Sequence, residues 1–168
     1  LAQAATAVVG ISMILTPFLA MGARALADRI QRIEHRDRMP TGEEAKATDH
    51  VIIGGYGRAG QVIARLLKAE NVPFVALDTD AELASEGSRR GEAVFFGDAA
   101  RREFLRRAGA AGARAFVVTV NSPRAAERMV AAARKERPDV PVFARARDPA
   151  HASRLLKLGA VEVTLEAV

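Results

Sequence analysis

The 168-residue sequence contains no cysteine, no tryptophan and a single tyrosine. Without cysteine, disulfides and thiolate metal sites are excluded, and the composition fits a reducing cytosol. The few aromatic residues do not alternate with basic ones, as they do in the base-stacking surfaces of proteins that bind nucleic acid. We therefore assign the net charge of +5 to a basic surface beside a membrane and expect no nucleic-acid partner.

Groups suited to catalysis are also scarce. Tyr56 lies within a glycine-rich stretch, which excludes a reductase site of the Tyr-x-x-x-Lys type. The three histidines (His35, His50 and His151) are scattered, and the sequence has no metal-ligand spacing and no nucleophile–base pair. We therefore expect a binding domain that is not an enzyme and holds no metal.

The first 23 positions carry no charge. As a helix, residues 1–23 would be about 34 Å long, which exceeds the roughly 30 Å of a bilayer core. Arginines then recur through residues 24–38, which by the positive-inside rule places this flank and all that follows in the cytoplasm. A signal peptide would carry its positive charges before the apolar run, and here they come after it. A buried helix of a soluble protein is the remaining alternative.

This pattern predicts three regions. They are a transmembrane helix with its cytoplasmic extension over residues 1–35, a polar linker over 36–49 and a cytoplasmic domain over 50–168. Because the chain starts with Leu1 rather than Met, we expect it to belong to a longer multi-pass protein of the inner (plasma) membrane.

The cytoplasmic region opens with an apolar strand, a G-x-G-x-x-G turn and an amphipathic helix. Gly55 allows a tight turn, Gly57 allows a pyrophosphate to approach the backbone, and Gly60 allows the helix to pack close to the strand. The free N–H groups at the start of that helix suit a phosphate. The predicted nucleotide-binding residues are Gly55, Tyr56, Gly57, Arg58, Ala59, Gly60, Asp78, Thr79, Asp98 and Ala99.

Asp78 ends the second predicted strand, where an acidic side chain accepts hydrogen bonds from ribose hydroxyls and repels a 2′-phosphate. The alternative role for this stretch is a helix cap, which we assign to Asp80. Asp98 follows the third strand, either near an adenine or as a turn residue. Arg58 has three interpretations: a phosphate ligand, a contact to another subunit or a solvated side chain.

A second charged patch follows the fifth predicted strand. It comprises Arg145, Arg147 and Asp148, at the edge of a parallel sheet where ligands bind. An ion pair at a subunit interface is the alternative. Arg65, further along the first helix, is expected to cover the surface of that helix.

Strands and helices alternate after residue 50. This pattern predicts an α/β fold, a Rossmann-like doubly wound parallel sheet of order 3-2-1-4-5-6. After the first strand, the predicted strands are 74–78, 93–96, 115–120, 141–146 and 162–165, and the predicted helices are 57–69, 81–90, 101–108, 123–136 and 148–158.

Several segments occur in a recognisable order: HVIIGGYGRAGQVIARLL, VALDTD, VFFGDAARREFL, AFVVTVNSP and ARARDPAHASRL. In this respect the chain resembles Kef-type monovalent cation:proton antiporters, with their last membrane helix joined to an RCK N-terminal (TrkA-N) domain. The resemblance implies a homodimer that binds NAD(H) or AMP as a regulatory ligand. It places adenosine contacts on Asp78 and on Asp98 with Ala99, and the ion path in an upstream transmembrane domain.

The resemblance does not extend to a complete glutathione site. Glutathione-gated members carry an arginine shortly after the last strand, where this chain has Leu165, although the basic residue Arg65 is retained. We therefore do not expect glutathione regulation.

Together, these features favour a nucleotide-sensing domain that regulates potassium or monovalent cation:proton exchange. Two alternatives stay open, a fragment of a membrane-anchored NAD-dependent dehydrogenase and the gating domain of a potassium channel.

Overall fold

The computed structural model of the protein describes residues 48–165. The predicted membrane helix over 1–35, and nearly all of the predicted linker over 36–49, lie outside the described residues. Within the described range, no helix is both long and apolar enough to cross a membrane.

Strands and helices alternate along the described range. The strands are β1 (His50–Gly54), β2 (Phe74–Asp78), β3 (Val94–Phe96), β4 (Ala113–Val118), β5 (Val142–Ala146) and β6 (Glu162–Leu165). The helices are α1 (Arg58–Ala69), α2 (Ala81–Arg89), α3 (Arg102–Arg107), α4 (Pro123–Glu136) and α5 (Pro149–Lys157).

The six strands form one parallel sheet in the order β3-β2-β1-β4-β5-β6. This confirms the predicted Rossmann-like doubly wound sheet and its strand order. All five residues of β1 are buried, as expected for a central parallel strand that helices cover on both faces.

The boundaries of the fourth strand differ from the prediction. The strand begins at Ala113 rather than Ala115, directly after a short 3-10 turn over Ala110–Gly112 that the sequence pattern does not predict. It ends at Val118 rather than Val120, and the Thr119 backbone N–H makes one more hydrogen bond to β1, to the carbonyl of Gly54 at 2.9 Å. The apolar run therefore continues past the strand and covers the glycine turn.

The core has two parts, one on each face of the sheet. On one face Ile52, Phe116 and Val142 pack with side chains from α3, α4 and α5. On the other face Ile53 and Ala76 pack with side chains from α1 and α2. The helices therefore cover both faces, which leaves the carboxyl edge of the strands as the exposed edge where a ligand can enter.

Three of the five helices in the described range start with a side-chain cap. Asp80 accepts hydrogen bonds from the N–H groups of the first turn of α2, which confirms the cap predicted for it. Ser122 and Asp148 cap α4 and α5 in the same way. The start of α1, at Gly57, has no side-chain cap hydrogen bond among the described residues.

Glu136, at the end of α4, joins α4 to α3. Its carboxylate accepts hydrogen bonds from Arg106 Nε at 2.6 Å and from Arg102 Nε at 2.8 Å. The hydrogen bond from Arg106, more than that from Arg102, lowers the pKa of Glu136, although partial burial opposes this shift.

This depressed pKa predicts a pH-dependent contribution to stability. A carboxyl group whose pKa is lowered by folding stabilises the fold above its unfolded pKa of about 4.3, and the contribution disappears as the pH falls through the lower folded value. Because both arginines are half exposed, we expect Glu136→Gln to cost at most about 1 kcal/mol of unfolding free energy at neutral pH. Urea unfolding at several pH values measures this difference.

Glu103→Gln is the matched control, because Glu103 makes a single exposed pair with Arg107 within α3. We expect a change of only about 0.3–0.5 kcal/mol for it at neutral pH. A Glu136→Gln difference that does not shrink on acidification would contradict the assignment.

Candidate functional site

The glycine turn between β1 and α1 requires glycine at two positions. Gly55 has φ +103°, and a Cβ there would lie 2.9 Å from Thr119 Oγ1 and 2.8 Å from Val120 Cγ1. A Cβ on Gly60 would lie 2.2 Å from the carbonyl oxygen of Gly55. The first turn of α1 therefore packs directly on the backbone of the turn that precedes it.

Gly57 has a different environment. It is exposed, and a Cβ built on it would meet nothing within 4 Å. Gln61 N–H makes the first hydrogen bond of α1, to the carbonyl of Gly57 at 2.9 Å, so the N–H groups of the three preceding residues have no intrahelical acceptor. The described first turn of α1 also contains no acidic residue, which leaves the positive end of the helix open to an anion.

Asp78 lies beside this turn, at the end of β2. Its carboxylate accepts hydrogen bonds from the backbone N–H of Tyr56 and, at 2.8 Å, from that of Asp80. These two bonds fix the orientation of the carboxylate. Because an ionised carboxylate has about four acceptor positions, it retains acceptors for the hydroxyl groups of a sugar.

Tyr56 contributes to the turn through its backbone. Its side chain is only 1% exposed and packs in the core against α2. The hydroxyl donates to Glu92, which also pairs with Arg90 at 3.7 Å. Burial, and then the hydrogen bond to Glu92, raise the pKa of the Tyr56 hydroxyl.

A cavity of about 740 Å³ opens at this edge of the sheet. This volume lies within the range typical of small-molecule sites. Seven of the ten predicted binding residues line it: Gly55, Gly57, Arg58, Ala59, Asp78, Thr79 and Asp98.

The other three predicted residues, Tyr56, Gly60 and Ala99, are not among its lining residues. All three are buried. Gly60 and the backbone of Tyr56 shape the turn, and the Ala99 side chain packs beneath the sheet edge near Gly54. The binding roles of all ten residues stay predictions.

Asp98 takes the turn role that was one of its two predicted interpretations, and its place near an adenine stays a prediction. Its Oδ1 accepts a hydrogen bond from Ala100 N–H at 2.9 Å, which is a turn interaction, and the residue also lines the cavity. Of the two acidic residues that line the cavity, Asp78 ends β2 and Asp98 follows β3. Both therefore belong to the same half of the sheet edge.

The opposite half of the cavity is formed by β4, α4 and β5. Among the predicted edge patch, Arg145 lines the cavity, whereas Arg147 does not and Asp148 caps α5. Arg145 Nη1 donates to Asn121 Oδ1 at 3.1 Å. Sequence reasoning did not assign binding roles to Val62, Thr119, Val120, Asn121, Ser122, Ala125, Arg128 and Met129, which also line the cavity.

Some of these residues carry a signal that sequence reasoning can use. Asn121 and Ser122 directly follow the fourth apolar run, as Asp78 and Asp98 do at their strands, and polar residues at such positions meet at one sheet edge. Thr119 gives no such signal, because it lies inside the apolar run. Its hydroxyl donates to the carbonyl of Gly55 at 2.8 Å, a contact that only the fold reveals.

An open parallel sheet whose strand order reverses between β1 and β4, with a glycine turn at that point, defines a Rossmann-like nucleotide-binding domain. Residues 51–166 match the TrkA-N domain, and the chain belongs to this family.

Relatives of this family bear out the resemblance to Kef-type antiporters. The chain is 41% identical over 162 residues to the chloroplastic K(+) efflux antiporter 1 of Arabidopsis thaliana. The match covers 96% of this chain and 14% of the plant protein, so the chain spans about a seventh of that relative.

Two solved structures share the fold. The TrkA-N domain of the inner membrane protein ybaL from Escherichia coli is 28% identical with a TM-score of 0.68, covering 71% of this chain and 89% of that one. The Kef C-terminal domain of Shewanella denitrificans, in an AMP-bound form, is 37% identical with a TM-score of 0.58, covering 70% of each chain.

Gly57, which precedes α1, and Gly60, which lies within it, are expected to respond differently to an added methyl group. Gly60→Ala forces a Cβ against the Gly55 carbonyl and should lower the free energy of unfolding by about 1–3 kcal/mol. Gly57→Ala places its Cβ in open space at a helix start and should cost less than about 1 kcal/mol. Urea unfolding of both variants tests this, and equal losses would contradict the described packing.

Proposed function

We propose that the chain is an adenine-nucleotide sensor that regulates a potassium or monovalent cation:proton antiporter. One observation carries the proposal: the uncapped start of α1 and the oriented carboxylate of Asp78 open into the same cavity. An anion-binding helix end beside an acceptor for sugar hydroxyls matches the two ends of a nucleotide 5′-phosphate.

The geometry supports one orientation of the nucleotide. The ribose would lie at Asp78 and the adenine towards Asp98, with a phosphate over Gly57 and the first turn of α1. NAD(H) and AMP both offer this adenosine phosphate. A 2′-phosphate would meet the carboxylate of Asp78, which disfavours NADP.

A sensing role, rather than catalysis, is supported by the buried positions of the tyrosine and of the two described histidines, side chains that enzymes commonly use as acids and bases. The Tyr56 hydroxyl is buried against Glu92. His50 and His151 are also buried, and neither lines the cavity. Within the described range, the cavity therefore offers hydrogen bonds and charges to a ligand, and neither a tyrosine hydroxyl nor a histidine ring lines it.

Regulation would act by population shift. A nucleotide that binds one arrangement of the domain better than another biases the equilibrium by the ratio of the two affinities. The linker and the predicted upstream transmembrane domain would receive this bias at the membrane. The pairing of two copies, the membrane location of the parent protein and the cytoplasmic position of the domain stay predictions from the sequence.

Removing the Asp78 carboxylate should weaken nucleotide binding. Hydrogen bonds to a charged group contribute about 1.5–3 kcal/mol, so Asp78→Ala should lower the affinities for NAD, NADH and AMP by at least about tenfold. Isothermal titration calorimetry on the 168-residue chain in detergent measures these affinities.

Asp80→Ala is the matched control, because Asp80 is an acidic neighbour that caps α2 and does not line the cavity. It should lose stability through the missing cap while keeping its affinity for nucleotide. Gly57→Ala should instead lose less than about 1 kcal/mol of stability and bind more weakly, since its methyl group occupies the path of the phosphate. No binding at millimolar nucleotide, or binding indifferent to Asp78→Ala, would refute the nucleotide assignment.

A further inference from the structure

We propose that Tyr56 is a positioning residue for nucleotide binding: its side chain, held by Glu92, keeps the Asp78 carboxylate in the orientation that accepts ribose hydroxyls. This inference rests on the proposed function and adds to it the residues that determine the preference for a ribose ring. Neither Tyr56 nor Glu92 lines the nucleotide cavity. Both therefore act on the ligand only through Asp78.

The backbone of Tyr56 contacts Asp78 directly. Its N–H donates a hydrogen bond to Asp78 Oδ2, and its carbonyl accepts one from Gln61 Nε2 at 3.2 Å. The other carboxylate oxygen, Oδ1, accepts a hydrogen bond from the N–H of Asp80 at 2.8 Å. Each carboxylate oxygen thus has one backbone donor, and the orientation of the carboxylate depends on where the N–H of Tyr56 lies.

The side chain of Tyr56 is held at its other end by α2 and β3. A Cβ built on Gly87, in α2, would lie 3.1 Å from Tyr56 Cε1 and 2.6 Å from Val94 Cγ2, so the ring packs closely against the helix backbone. The hydroxyl donates to Glu92, in the segment between α2 and β3. Burial, and then Glu92, raise the pKa of this hydroxyl, so it stays a donor at neutral pH.

Glu92 is itself fixed in place and lies apart from the ligand. Its side chain is 11% exposed and pairs with Arg90 at 3.7 Å, and Arg90 pairs in turn with Glu86 at 3.8 Å. Glu92 lines a separate cavity of about 460 Å³, which shares no lining residue with the nucleotide cavity. A substitution at Glu92 therefore changes the contact with Tyr56 without touching a bound nucleotide.

These contacts make Tyr56 a rigid connection between Glu92 and Asp78. Only two side-chain torsions separate the phenol ring from the backbone. Without the hydroxyl bond the ring can shift, and the N–H of Tyr56 shifts with it. An Asp78 carboxylate that loses one of its two backbone donors becomes more mobile, and ordering it around a ligand lowers affinity.

The loss should fall on the ribose rather than on the phosphate. The N–H groups at the start of α1 belong to the helix, and the close contact between Gly60 and the carbonyl of Gly55 holds that helix in place. Neither contact involves the Tyr56 hydroxyl. A ligand without ribose hydroxyls should therefore be insensitive to the hydrogen bond between Tyr56 and Glu92.

The test compares AMP with 2′,3′-dideoxy-AMP, which lacks both ribose hydroxyls, by calorimetry on the 168-residue chain in detergent. The wild type should bind AMP at least about tenfold more tightly than the dideoxy compound. Tyr56→Phe should reduce this ratio by about threefold to fivefold, and should change the affinity for the dideoxy compound by less than about twofold. A purely structural role would lower both affinities alike.

Two substitutions of Glu92 separate the hydrogen bond from the charge. Glu92→Gln keeps an oxygen that accepts from the phenol, and should hold the ratio within about twofold of the wild-type value. Glu92→Leu removes the acceptor and should reproduce the ratio of Tyr56→Phe. Combining Glu92→Leu with Tyr56→Phe should cause no further loss, because both remove the same interaction.

Glu86→Gln is the matched control, because within the described range Glu86 pairs with the same Arg90 and makes no hydrogen bond to Tyr56. It should leave the ratio unchanged. An unchanged ratio in Tyr56→Phe, or equal losses for both ligands, would overturn the inference and leave the nucleotide assignment standing. Equal affinities of the wild type for both ligands would overturn it together with the ribose role of Asp78. If AMP does not bind the wild type, the proposed function fails as well.

Discussion

The close contact between the start of α1 and the glycine turn determines how the rest of the site is arranged. Gly60 lies against the carbonyl of Gly55, and the same carbonyl accepts a hydrogen bond from the buried hydroxyl of Thr119. One peptide group therefore joins β1, α1 and the end of β4. Because larger side chains at Gly55 or Gly60 would separate these elements, the helix start, the Asp78 carboxylate and the cavity depend on this contact.

The strand order of the sheet could be predicted from features that are visible in the sequence itself. The apolar runs, the helix caps and the glycine spacing identify each βα unit, and parallel strands joined by helices admit few topologies. The predicted order of six strands is therefore the observed one. The prediction of a membrane segment rests on an equally simple hydropathy pattern, but that segment lies outside the described residues.

The site was only partly predictable, for a physical reason. Residues at the end of a strand are visible in the sequence, and Asp78, Thr79 and Asp98 do line the cavity. Arg128 lies within an ordinary helical pattern, and the sequence does not record which face of α4 turns towards the sheet edge. Tyr56 shows the opposite case, because its position in the glycine motif suggests the cavity while its ring packs in the core.

The hydrogen bond between Tyr56 and Glu92 has a practical consequence for spectroscopy. The 168-residue chain has no tryptophan and no second tyrosine, so its near-ultraviolet emission excited at the tyrosine band arises from one buried ring attached to the glycine turn. A carboxylate acceptor quenches the fluorescence of a bonded phenol, and any movement of the turn changes that contact. The wild-type chain thus carries an intrinsic, label-free optical reporter directly beneath its candidate ligand site.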